Sequence, residues 1–437
     1  MPTKNSPNNM KDTFDILSLD GGGTWALIQA RVLSERYGSQ TRGHEILKKF
    51  DLVAANSGGS LVLAMLIANK TVQQIVDTFN NPKILSSIFY PKKIIAHTPV
   101  LNTILPIYET KPKLKVFIDN LNTNISYGTK YLHELPKLIG EGAPHFLITT
   151  FEYDRQRAVY FRSNPESKME SAFIESVTNP LSPPTDKFKA VTLAHAVHAS
   201  SNAPVQFFDD PAEVPLTHAN SANSKKSTRL FWDGAVAGNN NPVKVAVLEA
   251  LANGNRQELL EKIRVVSIGT SATVLPILYN EHAEPQPEFE WLARQSKIDG
   301  IVGDIKRIAT AILGDPPDAA SFDAHQILGF PLKQNDPRFI RINPMIKPIL
   351  RPRNAAGPEI WTMPGTKDNW CPQEMYDLFN LDMAVSNKYG LSLINRLCDD
   401  FFRDAFENQG IRSGGKTISA ILGHKTYNAA MQDWRTW

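Results

Sequence analysis

The strongest constraint on this chain is a pattern that occurs twice near its start: a short apolar run, a glycine-rich turn, then an apolar stretch of helical length. Phe14 to Leu19 runs into Asp20-Gly21-Gly22-Gly23, and Phe50 to Ala55 runs into Asn56-Ser57-Gly58-Gly59. A short apolar run cut off by such a turn reads as a buried strand. The stretches beyond the turns, Trp25 to Tyr37 and Ser60 to Ala68, read as helices. Strand, sharp turn and helix in succession predict an α/β fold, a parallel sheet with crossover helices.

The rhythm continues to about residue 270. His145 to Thr150 and Ala158 to Phe161 read as strands around an Asp154–Arg155 turn, and Val191 to Ser200 as a helix. Arg229 to Trp232 reads as a strand running into Asp233–Gly234, Asn241 to Ala252 as a helix, and Ile263 to Ile268 as a strand stopped by Gly269. Lys83 to Lys115 interrupts this alternation, mixing apolar residues with lysines and prolines. Its apolar side can dip into an anionic membrane surface, or pack on the core with the lysines in water. Further on, Glu288 to Leu313 and Glu374 to Phe406 carry helical apolar spacing, with a proline-rich stretch from Pro331 to Pro372 between them. Trp434 and Trp437 near the end read as docked aromatics. The expected layout is a flexible tail over 1–13, a catalytic domain over 14–345, and a proline-rich connector with a helical C-terminal region over 346–437.

Composition narrows the function. The 437 residues include 42% hydrophobic and 21% charged, an ordinary globular balance. A net charge of +3 is no dense basic field, so a nucleic-acid polymer is not an expected partner. The two cysteines, Cys371 and Cys398, form neither a disulfide framework nor a metal-ligand spacing, and no metal or cofactor is expected. The polar start, Met1 to Asp12, has no apolar core of a secretory signal. The longest clean apolar run, Leu61 to Ala68, is far short of the roughly 18–20 residues of a membrane span. The expectation is a cytoplasmic protein with peripheral membrane contact.

Three segments carry chemistry. Ala55-Asn56-Ser57-Gly58-Gly59 nearly matches G-x-S-x-G, the strained strand-to-helix turn that lifts a serine hydroxyl into a site. Ala55 stands at its first position where glycine is usual, and the competing reading of Ser57 is a helix N-cap. Asp20-Gly21-Gly22-Gly23 offers consecutive backbone N–H groups that can hold an oxyanion or a phosphate. Gly21, Gly23 and Ala26 also satisfy a dinucleotide fingerprint, but the acid required at the end of the next strand is missing, because Asp51 falls at that strand's start. Asp233 ends a strand, at the ligand-binding edge of a parallel sheet, and its competing reading is a turn aspartate. Of the histidines, His195 and His198 lie three apart on a predicted helix without a metal-protease glutamate, while His218 and His325 are isolated.

Together these segments resemble the patatin-like phospholipases. The glycine triplet, the elbow at Ser57 and Asp233–Gly234 follow the family's order. Ala199-Ser200-Ser201-Asn202-Ala203-Pro204, ending in Phe207 and Phe208, is similar to the family's block before the aspartate strand. Ser267-Ile268-Gly269-Thr270 is similar to its later glycine turn. The resemblance covers about residues 14–275, with Phe339 to Pro344 as a further segment. It implies a three-layer fold with a mainly parallel central sheet, to which the chain adds a helical C-terminal extension. It also implies a Ser–Asp dyad of Ser57 and Asp233 without histidine, with the amides of Gly21, Gly22 and Gly23 as oxyanion hole. Asn56, Gly58 and Gly59 would support the elbow. The family's arginine and glycine after the triplet are replaced by Trp25 and Ala26, which puts anion assistance there in doubt.

The implied activity is a phospholipase A type of acyl hydrolysis on phospholipid at a membrane surface. The alternatives are a small-ester or lysophospholipid hydrolase of the same mechanism, and a non-catalytic phosphate- or nucleotide-binding module. Some bacterial members act in antiviral defence under a cyclic nucleotide, so a small-molecule activator and homo-oligomerisation are further expectations. The region after about residue 275 either restrains access to Ser57 or completes the core.

Overall fold

In a computed structural model the chain is described over residues 12–92, 106–122, 124–164, 189–204, 207–218, 227–273, 318–330, 335–352, 359–362, 370–411 and 422–437. The two apolar runs become adjacent parallel strands, β1 (Phe14–Leu19) and β2 (Leu52–Ala55), in register from Ile16 opposite Leu52 to Leu19 opposite Ala55. Five further strands follow: β3 (His145–Glu152), β4 (Arg157–Arg162), β5 (Lys189–Ala190), β6 (Ala212–His218) and β7 (Ser227–Asp233). β8 (Ile263–Ile268) and the short β9 (Ala272–Thr273) come next, then β10 (Phe339–Ile342) and β11 (Met345–Ile346), which pairs β9. β12 (Ile349–Pro352) and β13 (Glu359–Thr362) form a separate antiparallel pair.

The main sheet has nine strands in the order β10-β8-β1-β2-β3-β7-β6-β5, with β4 also on β3. The five from β10 to β3 are all parallel, whereas β4, β7, β6 and β5 are antiparallel to their neighbours. Parallel strands need both faces covered, and alternate residues divide accordingly. Leu17, Leu19, Val53 and Ala55 join one apolar cluster, while Ile16, Leu52 and Ala54 join the other. The first face carries the helices Leu27–Tyr37 and Ser57–Ile67, and the second carries Val243–Asn253 and residues 318–327. This is the expected three-layer α/β arrangement.

Glu374 to Phe406, expected as helical, forms two helices, Pro372–Asn380 and Lys388–Phe402. The second buries Leu391, Ile394, Leu397, Cys398 and Phe401 along one stripe, at the spacing of a helix lying on a core. It lies against Leu27–Tyr37, with Arg31 donating to Asn395 at 2.9 Å and pairing with Asp399 at 2.6 Å. Trp434, on the helix Tyr427–Arg435, is buried edge-on to Tyr37. Residues from Leu17 to Trp434 therefore share one apolar cluster. Glu288 to Leu313 lies outside the described residues, as does the middle of Lys83 to Lys115. The described flanks of that segment are the helices Pro82–Ile88 and Thr110–Asn120. Both cysteines are free thiols, and among the described residues no helix is long and apolar enough to cross a membrane.

Candidate active site

The sheet register explains why Ser57 and Asp233 meet. β4 runs along one edge of β3, from Leu147 to Glu152, so β2 and β7 must share the other edge. β2 runs parallel to β3 and stops with Ala55 opposite Ile148. β7 runs the opposite way and stops with Asp233 opposite Thr150. The C-terminal ends of the two strands thus point at each other, with Thr149 between them. The residues next after Ala55 must face Asp233.

Those residues form the elbow. Ser57 has φ 48°, in the left-handed region that costs a non-glycine residue about 1–2 kcal/mol. The strain is held in place because Ser57 N–H donates to Ser200 Oγ at 2.9 Å, and the helix Ser57–Ile67 starts immediately. Gly58 and Gly59 are needed for close approach. A side-chain carbon at Gly58 would strike the Gly23 carbonyl, and one at Gly59 would lie 2.6 Å from the Asp20 carbonyl. The elbow and the glycine loop are therefore in direct backbone contact. Ala55 fits at the elbow's first position, fully buried within β2.

Asn56 does more than shape the turn. Its Nδ2 donates to Asp233 Oδ1 at 2.9 Å and to Asn240 Oδ1 at 3.4 Å, while its Oδ1 accepts from the Thr149 hydroxyl at 2.7 Å. Asp233 is buried, and its Oδ1 also accepts from Ala235 N–H at 2.9 Å. Burial raises its pKa above the usual carboxylate value. Hydrogen bonds from Ala235 N–H, the Ser57 hydroxyl and Asn56, together with the charge of Lys113, pull the other way.

The three loop amides differ in their surroundings. Gly21 N–H donates to the Asn240 carbonyl at 2.8 Å, so it is occupied and does not match the oxyanion role expected of it. Among the described residues no acceptor meets the amides of Gly22, Gly23 or Gly58. The loop's base is fixed by Asp20, which makes a buried bidentate pair with Arg341 of β10 at 2.9 and 2.6 Å. Burial pushes Asp20 up to about 6, against the pull of that guanidinium. Its tip is fixed from the C-terminal side. Thr24 N–H donates to the Met383 carbonyl at 2.8 Å, and the Trp25 indole donates to the Asp382 carbonyl at 3.1 Å. Trp25, only 7% exposed, is thus a packing residue where the resembling family has arginine.

No histidine among the described residues bonds Ser57 or Asp233. His195 bonds the Thr192 hydroxyl, His325 is buried beside Phe330 and Phe339, and the side chain of His218 lies outside the described residues. His198 is buried, and burial lowers its pKa so that it stays neutral. Asp51 accepts from Asp15 N–H at the end of the sheet away from the glycine loop, where no dinucleotide ribose could meet it. Sequence reasoning missed Thr149, Asn240, Arg341 and Lys113. Asn240 stood in a visible run of three asparagines, but nothing in the sequence ties Arg341 to Asp20.

Residues 17–247, just over half of the chain, match the family model for patatin-like phospholipase. The chain belongs to the patatin-like phospholipase family. Patatin-like protein 1 of Arabidopsis thaliana is 27% identical over 288 residues, an alignment covering 62% of each protein. The chain therefore spans less than two thirds of that relative's length. Among solved structures, similarity is found to VipD from Legionella pneumophila, at 12% identity and TM-score 0.29, over 89% of this chain and 67% of that one. Human GIVD cytosolic phospholipase A2 is similar at 10% identity and TM-score 0.38, over 90% of this chain and 62% of that one. The patatin-like match takes in Ser57, Asp233 and the glycine loop, and it ends before Arg341 and the C-terminal helices that hold the loop from outside.

Proposed function

We propose that this chain is a lipid acyl hydrolase in which Ser57 is the nucleophile and Asp233 the general base. The observation that carries the reading is the convergence of β2 and β7, which sets the Ser57 hydroxyl in hydrogen-bonding reach of a buried Asp233. The carboxylate takes the hydroxyl proton as Ser57 Oγ bonds to the ester carbonyl carbon. The negative charge that develops on the carbonyl oxygen is received by the amides of Gly22, Gly23 and Gly58. Collapse breaks the ester C–O bond, and the proton held by Asp233 passes to the leaving alcohol. Asp233 then deprotonates water as it attacks the acyl-Ser57 carbonyl, the acyl C–Oγ bond breaks, and Asp233 returns the proton to Ser57 Oγ as the fatty acid leaves. A carboxylate is a weak base at its ordinary pKa, and the burial of Asp233 strengthens it.

The substrate class we propose is membrane phospholipid, a reading that rests on family membership. The test is product analysis on phospholipid vesicles with wild type and Ser57→Ala side by side. Free fatty acid from the wild type and none from the variant is the expected result. Fatty acid release that survives in Ser57→Ala rules out the nucleophile, and release only from lysophospholipid or short-chain ester narrows the substrate to those classes.

A further inference from the structure

Lys113 is 0% exposed, although its helix, Thr110–Asn120, carries Lys111 and Lys115 as its immediate alternates. Its Nζ donates to the Ser201 carbonyl at 3.0 Å and to Asn202 Oδ1 at 2.8 Å, and sits 3.8 Å from the centre of the Phe208 ring. Among the described residues no carboxylate lies within ion-pair distance of it. A buried ammonium group compensated by two neutral oxygens and a ring face is expensive, and a methionine of similar length would fill the space at less cost. Stability therefore does not account for a lysine here.

The groups it holds suggest what does. Ser200, next to Ser201, accepts the Ser57 N–H that fixes the elbow, and the Asn202 carbonyl accepts Asp233 N–H at 3.0 Å. Ser200 thus holds Ser57 and Asn202 holds Asp233, and Lys113 holds Asn202 and the intervening Ser201. We propose that Lys113 is a positioning residue for acyl transfer, fixing the Ser200–Asn202 segment and setting a positive charge behind Asp233. This rests on the reading of Ser57 and Asp233 given above. The titratable groups on the elements packed against the Lys113 helix include His198, with His195 beside it, on the helix Leu193–Ser200, and Asp209, with Asp210, before β6. Asp209 is paired with Lys92 and accepts from Thr110 N–H, and burial lowers the pKa of both histidines. Burial pulls the Lys113 pKa well below the usual lysine value and the Asp233 charge pulls it back up, so each of the two favours the ionised form of the other.

The experiment uses the full chain with Lys113→Met and Lys113→Gln, read by hydrolysis of a soluble short-chain ester across pH and by thermal melting, with Ser57→Ala as blank. Lys113→Met should melt no lower than wild type while kcat falls about ten-fold or more with KM nearly unchanged. The acid limb of its kcat/KM profile should move to higher pH, because the cation that favours the Asp233 carboxylate is gone. Lys113→Gln keeps a donor without the charge, so it should recover part of kcat and keep the displaced limb. It also serves if the methionine variant does not fold. Variants that turn over like wild type with an unmoved acid limb overturn the inference while leaving the dyad in place, as does a lowered melting temperature with no change in pH profile. A wild type whose ester hydrolysis does not depend on Ser57 overturns the dyad, and the inference with it.

Discussion

At the residue scale, the proposed mechanism asks Asp233 to do base chemistry without an imidazole. Its folded pKa is raised by burial, and only the ionised form can accept the Ser57 proton. The kcat/KM profile should therefore lose activity as pH falls through a point above the ordinary carboxylate value of about 4. Asn56→Ala removes a donor to the carboxylate, so it should lower activity and move that limb upward, seen in the same profile. Asp233→Asn should abolish hydrolysis. A raised folded pKa means the carboxyl favours folding below its unfolded pKa, and the advantage is lost as pH rises through the folded one. The neutral amide avoids that loss, so Asp233→Asn should melt no lower than wild type at pH 8. The Asp20–Arg341 pair has a related signature. Arg341→Met leaves Asp20 buried alone, a change of about 3–5 kcal/mol where the carboxyl is charged. Asp20 is already pushed up to about 6, so the loss should be smaller at pH 5 than at pH 8 in denaturant melts. Ser57 and Asp233 were legible because glycines crowd around them in sequence. Lys113 was not, because a buried lysine between two surface lysines has no pattern of its own, and Arg341 lies 321 positions from its partner.

At the element scale, strand ends matter more than strand interiors. The sequence told where β1, β2, β3, β7 and β8 lie, since each is a short apolar run with a sharp stop. It did not tell that β7 would enter antiparallel and meet β2 end to end on β3, because pairing partners leave no local trace. The parallel pairing of β1 and β2, which end together at Leu19 and Ala55, makes the contact between elbow and glycine loop tight at the backbone level. Gly59→Ala should therefore cost about 1–3 kcal/mol by overpacking against the Leu19 and Asp20 carbonyls, and activity should fall with it as the loop is displaced. Urea melts and ester hydrolysis on the same samples check both. Trp25 belongs to this scale too, since its indole ties the loop's first helical turn to the segment around Asp382. Restoring the family's arginine there, as Trp25→Arg, puts a cation into a nearly closed apolar site. It should lower the melting temperature without raising activity.

At the scale of the whole molecule, the question left open by the sequence was whether the C-terminal helices restrain the site or complete the core. Their apolar stripe could serve either, because helical periodicity says that a face is covered and not by what. In the structure the cover is Leu27–Tyr37, the helix that runs directly out of the glycine loop. Removal of residues 372–437 would strip Met375, Leu378, Leu391, Leu393, Ile394, Leu397, Phe401, Tyr427, Met431 and Trp434 from the shared core. Each such side chain is worth about 1.5–3 kcal/mol of burial, and together they exceed the roughly 5–15 kcal/mol that holds a domain folded. The same cut releases Thr24 and Trp25 from the Met383 and Asp382 carbonyls, so the glycine loop would lose its outer support even if the sheet survived. A chain of residues 1–371 should therefore accumulate as insoluble or unfolded protein, without near-UV circular dichroism and without esterase activity. A soluble, folded truncation more active than the full chain would instead mean that these helices are a restraint laid over a self-sufficient catalytic domain.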